Sequence, residues 1–157
     1  ALKDPEDYAV RANIMWSATM ALNGLIGAGV PQDWTTHMLG HELTAMHGLD
    51  HAQTLAIILP AVMRAKKQQK REKLLQYAER VWDIRCGTDD ERIEAAIVAT
   101  EQFFQQMGAP TRLSDYQLDG STIPALVKKL EEHGMTKLGE RQDITLADSQ
   151  KIYQSAI

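Results

Sequence analysis

A single cysteine, Cys86, stands in the 157 residues, so no disulfide can close within the chain. That usage fits a reducing compartment, and a cytoplasmic protein is expected. The opening ALKDPEDY is acidic and polar rather than a secretory leader, and no apolar run is long enough to span a bilayer. Aromatic residues amount to 6%, and none interleaves the basic run RAKKQQKREK at 64–73, which argues against a nucleic-acid groove. The formal net charge of −4 argues the same way, and also against an anionic membrane as main partner. No convincing alternating strand is present, nor any internal repeat, low-complexity segment or linker.

Helical spacing is what remains. Asp4-Pro5 reads as a helix start, with Tyr8, Met15, Ala18, Leu22 and Leu25 carrying the pattern to about Ile26. Gly24, Gly27 and Gly29 follow as GxxGxG, the reverse of the dinucleotide fingerprint and at a helix end, so they mark a turn. Asp33 is the expected cap of a helix holding His37, His41 and Leu43, and Pro60 should kink the helix after it. The basic run reads as a solvated helix end and connection. Leu74, Leu75, Ala78 and Val81 predict a helix ending near Cys86-Gly87. Thr88 and Glu91 form a capping box, and Ile93, Ala96, Ile97, Phe103, Phe104 and Met107 make a core-facing stripe. Ser121 is the expected cap of a helix through Leu130, with Gly134 as its stop and His133 in its last turn without a chemical role. Thr145 caps the last helix. These readings give an all-α bundle of six or seven helices, taken as one domain over residues 1–157.

Four of the five histidines crowd into HMLGHELTAMHGLDH, residues 37–51. His37 and His41, four residues apart, share a face on a helix, and His47 and His51 have the same interval. The helical zinc signature HExxH is absent, because Ala45 occupies its second histidine position. In one unbroken helix His37 and His51 would stand about 21 Å apart along the axis. A shared zinc needs both nitrogens within about 2 Å of the ion. Gly48 offers a break, and Asp50 with Gln53 a capping box for a new helix beginning at His51. The corner brings His37 and His51 to one side. The plain alternative is a set of histidines packed in a helical core or exposed at a bend.

The run GAGVPQDWTTHMLGHELTAMHGLDHAQTLAIILP resembles the metal-binding signature of the iron-containing (group III) alcohol dehydrogenases, nearest their NADPH-dependent, broad-substrate aldehyde reductase branch. The resemblance implies that His37 and His51 bind a catalytic zinc or iron. It places His41 beside the ion, near nicotinamide and substrate, with a catalytic role. It further implies the helical C-terminal domain of the dehydroquinate-synthase-like fold, an aldehyde or alcohol substrate, NADPH in the complete enzyme and a homo-oligomer. Many relatives carry Gly after the second ligand histidine, whereas Ala52 follows His51 here and the His-Gly pair is His47-Gly48. The family's upstream aspartate and histidine ligands and its glycine-rich nucleotide domain have no counterpart. With no initiator Met, the chain is expected to be the C-terminal part of a longer enzyme, inactive alone. The competing function is a non-enzymatic helical module binding metal or a partner at the His37–His51 corner. A di-iron bundle lacks its paired Glu-x-x-His motifs here.

Overall fold

A computed structural model describes residues 1–157. It has seven α-helices: α1 (Tyr8–Leu22), α2 (Thr35–His47), α3 (His51–Ala65), α4 (Arg71–Trp82), α5 (Asp89–Gln106), α6 (Ile123–Glu132) and α7 (Leu146–Ser155). A two-stranded antiparallel ribbon, β1 (Lys137–Leu138) and β2 (Ile144–Thr145), pairs Lys137 with Thr145 and Leu138 with Ile144. The all-α expectation holds apart from this ribbon, whose strands are too short to show alternation.

The chain divides into two compact units, Ala1–Gln32 and Asp33–Ile157. In the first, α1 starts later than the Asp4-Pro5 signal suggests. Asp7 is the cap, its Oδ1 accepting from Val10 N at 3.1 Å. The helix stops at Leu22 rather than Ile26, because Gly24 turns left-handed at φ 88°. None of its residues is buried, and Tyr8, Ile14, Met15, Trp16 and Leu22 all lie exposed.

The second unit is built on α2, α3, α6 and α7, which bury Leu39, Leu43, Ile57, Ile58, Leu126, Leu130, Ile152 and Tyr153. A smaller cluster of Leu74, Ile93 and Ile97 joins α4 to α5. The α5 stripe is core only in its first half: Phe103 is 45% exposed and Met107 is exposed too. Phe103 meets the ring of Trp82, the last residue of α4, at 6.3 Å and lies outside the buried cluster. Helix α4 ends at Trp82, earlier than Cys86-Gly87, where Asp83 takes the left-handed conformation at φ 54°. The α6 entry also differs. Asp119, not Ser121, does the capping, with Oδ1 accepting from Ser121 N at 2.9 Å above a 3-10 turn. The Thr88–Glu91 and Thr145–Asp148 capping boxes form, and α3 runs through Pro60 as one continuous helix.

The basic run is not a solvated end. Arg64 binds Glu101 through both terminal nitrogens at 2.8 Å. Lys66, only 8% exposed, donates to Asp143 at 2.9 Å, and Lys70 lies 2.9 Å from Asp33 and 2.7 Å from Glu140. Arg71 reaches Asp89 and Asp90. These cations strap the α3–α4 turn to α5, to the ribbon and to the start of α2. The carboxylates they meet lie up to 77 residues away in sequence, so no local pattern announces them.

Candidate metal centre

Helix α2 ends where Gly48 turns left-handed at φ 69°, its N–H donating to Thr44 O at 2.9 Å. An L-residue there would crowd its own backbone, which is why the chain spends a glycine at the corner. Two residues on, extended Asp50 caps α3, and Gln53 Oε1 accepts from Asp50 N at 2.8 Å. The two helices then approach closely at Gly40. A Cβ on it would lie 2.8 Å from Thr54 Oγ1, and that hydroxyl donates to His51 O at 2.9 Å.

This corner gathers three imidazoles. Ring centroids are 5.1 Å apart for His37 and His51, 5.7 Å for His41 and His51, and 6.3 Å for His37 and His41. His41 and His51 are exposed and His37 is half-buried, so the cluster opens outward. Burial, with the neighbouring His51 and His41, lowers the His37 pKa and favours its neutral, lone-pair-bearing form. Trp34 meets the His37 ring edge-on at 5.1 Å while 45% exposed. Sequence reasoning gives Trp34 no role. Its place three residues before His37, on the same helical face, is the signal that finds it.

The two remaining histidines point elsewhere. His47 Nε2 shares a hydrogen bond with Thr122 Oγ1 at 2.6 Å, which anchors the end of α2 to the α6 entry and removes His47 from the cluster. His133 Nδ1 lies 2.7 Å from Glu42 Oε1. Sequence reasoning gives His133 no partner, because Glu42 is 91 residues away. Asp33 sets the other end of α2, its Oδ1 accepting from Thr35 N at 2.8 Å. Burial raises the Asp33 pKa, but hydrogen bonds from Thr35 and Lys70 outweigh it and hold the carboxyl below its ordinary value. Asp50 stays an exposed cap.

Imidazole nitrogens suit zinc and ferrous iron alike. His37 and His51, the closest pair of imidazole rings, bring two such donors to one corner. No three His, Cys, Asp or Glu side chains are grouped so as to hold a metal ion by themselves.

Residues 1–157 match the model of the Fe-containing alcohol dehydrogenase family, C-terminal. The NADPH-dependent aldehyde reductase YqhD of Escherichia coli (strain K12) is 74% identical over 156 residues, 99% of this chain and 40% of the relative. The crystal structure of that protein superposes with a TM-score of 0.99, covering 100% of this chain and 40% of the other. NADH-dependent butanol dehydrogenase A of Thermotoga maritima superposes with a TM-score of 0.90 at 27% identity, over 98% of this chain and 40% of that one. The NADP-dependent alcohol dehydrogenase 3 of Entamoeba histolytica is 39% identical over 130 residues, 83% of this chain and 33% of the relative. This chain thus spans about 40% or less of the length of these relatives. With the histidine corner in place and the family model matched from end to end, the chain belongs to the iron-containing alcohol dehydrogenase family, as its C-terminal part.

Proposed function

We propose that this chain is the metal-binding helical part of an NADPH-dependent aldehyde reductase that interconverts aldehydes and primary alcohols. The observation that supports it best is the meeting of His37, His41 and His51 from two helices at one open corner. His37 and His51 are the residues that would hold a divalent zinc or iron. When bound, such an ion supplies Lewis acidity, which polarises a carbonyl oxygen and stabilises an alkoxide. The chain's own residues do the rest. The α2–α3 corner brings the two rings together, Trp34 packs edge-on against His37, and exposed His41 would hold or pass a proton at the substrate oxygen.

Hydride transfer requires the nicotinamide held against the substrate, and no strand-and-glycine nucleotide motif occurs among these helices. The isolated chain is therefore inactive with NADPH and aldehydes. In the complete protein the reading carries a homo-oligomeric, cytoplasmic enzyme acting on small aldehydes, without nucleic-acid or membrane partners. Titration of the chain with zinc or ferrous iron under argon, followed by side-chain NMR of labelled histidine, tests the site. His37 and His51 resonances move together while His47 stays in place. Movement of His47, or none at His37 and His51, overturns the assignment. Tight stoichiometric binding by this chain alone would favour a stand-alone metal module.

A further inference from the structure

The helix that carries His37 and His41 presents them on its open side, and its rotation about its own axis decides where they point. Side chains reach about 5–6 Å from a helix axis, so a turn of 10° moves an imidazole by about 1 Å. Displacements of that size matter at a reacting centre. The burial term itself is non-directional, so directional contacts share with packing the task of fixing that rotation.

Glu42, the residue after His41, is the unexplained member of the opposite face. It is 5% exposed, in a helix whose other buried positions include Leu39 and Leu43. One carboxylate oxygen meets His133 Nδ1 at 2.7 Å, and the other is buried with no partner at all. A desolvated carboxylate with a single hydrogen bond is expensive. Packed apolar side chains at such a site are often as stable or more so, which makes stability a poor reason for the residue. The backbone of His133 is held, while about half of its side chain faces solvent. His133 caps the end of α6, its backbone N–H donating to Lys129 O at 2.9 Å, and left-handed Gly134 stops the helix after it.

We infer that Glu42 and His133 form a positioning pair that fixes the rotation of α2, so that His37 and His41 face His51. The inference rests on the metal-site reading only for its consequence; the clamp itself is defined without an ion. Three variants of the 157-residue chain test it: Glu42→Leu, Glu42→Gln, which keeps an acceptor for His133, and His133→Ala. The readouts are inter-ring NOEs of labelled histidine, thermal melting and cobalt(II) affinity. In Glu42→Leu the melting temperature is retained or raised, while the His37–His51 and His41–His51 ring contacts weaken. Cobalt affinity falls about tenfold, the scale seen when a residue that orients ligands is lost. Glu42→Gln keeps the ring contacts and stays within about twofold of the parent affinity on the same scale. His133→Ala reproduces the loss from the other partner, and it decides the matter if the leucine variant does not fold. Unchanged ring contacts in a folded Glu42→Leu or His133→Ala chain overturn the inference. If cobalt leaves His37 and His51 of the parent undisturbed, the metal reading fails, and the NOEs still report on the clamp.

Discussion

Replacing Gly40 by alanine puts the α2–α3 approach under load. The new Cβ would stand 2.8 Å from Thr54 Oγ1, 3.2 Å from Thr54 Cβ and 3.8 Å from the Thr54 carbonyl carbon. Rotating the Thr54 hydroxyl away relieves only the first of these. The Cβ contact is fixed by the α3 backbone, so the helices must part by several tenths of an ångström to restore a separation of about 3.5–4 Å. Overpacking of this kind costs about 1–3 kcal/mol, and the better helix propensity of alanine returns about 1 kcal/mol. The variant should therefore lose about 1 kcal/mol net, with 2 kcal/mol as the upper figure. Thr54→Ala alone should cost about 0.5–1.5 kcal/mol by removing the hydrogen bond to His51 O. In the double variant the two costs do not add. The coupling should be about 0.5 kcal/mol in the stabilising direction, because the hydroxyl that collides is gone while the Cβ contact remains. Urea unfolding of the four chains measures all of this. A Gly40→Ala chain as stable as the parent, or costs that simply add, would show that the helices are not in hard contact.

Tyr153→Phe removes a buried hydroxyl that donates to Leu39 O at 2.8 Å. The cost should lie near 1 kcal/mol, since that carbonyl keeps its bond within α2, and calorimetry should find a fall of about 3 °C in the melting temperature. Glu101 is held below its ordinary 4.5 chiefly by its hydrogen bond to Arg64, against the opposing effect of burial. Its folded-state value is lowered, so its contribution is present above pH 4.5 and lost as pH falls through the folded value. Glu101→Gln should flatten the stability profile below that point, and an unchanged slope in pH-dependent urea melts would count against the ion pair. Helix α1 exposes Ile14, Met15, Trp16 and Leu22, so the chain should self-associate at moderate concentration. Trp16→Glu should shift sedimentation toward monomer; equal sedimentation of both chains would rule out α1 as the contact.

What was legible in the sequence is what is decided within a few residues. The four-residue spacing of His37 and His41, the break at Gly48 and the Asp50–Gln53 box are each local, and together they specify the corner. The Thr88 and Thr145 caps are legible for the same reason. The features missed depend on groups far along the chain. Lys70 looks like one more solvated cation until Asp33 and Glu140 come to either side of it. Glu42 looks like half of a broken zinc motif until His133 arrives from the end of α6. Phe103 obeys the periodicity of α5, yet periodicity carries no information about where the neighbouring helix stops. His47 has the same spacing to His51 as His37 has to His41, but Gly48 ends the shared helix between them, and Thr122 takes its ring.

Placing the glycine turn directly before His51 also sets how motion reaches the site. His37 and His41 ride together on α2, so their separation is fixed by one rigid element. Both of their distances to His51 then depend on the angle between α2 and α3. His51 lies three residues beyond the Gly48 pivot, whereas Ala65 lies fourteen residues further along α3. A 10° opening of the corner would carry a point about 21 Å out along α3 through about 3.7 Å, while the His51 ring, kept at least about 8 Å from Gly48 by its 5.1 Å approach to His37, would move by about 1.5–2 Å. Breathing of the helix pair is thus felt mainly at the α3–α4 strap, where Lys66 and Lys70 hold Asp143, Asp33 and Glu140, and is geared down before it reaches the imidazoles.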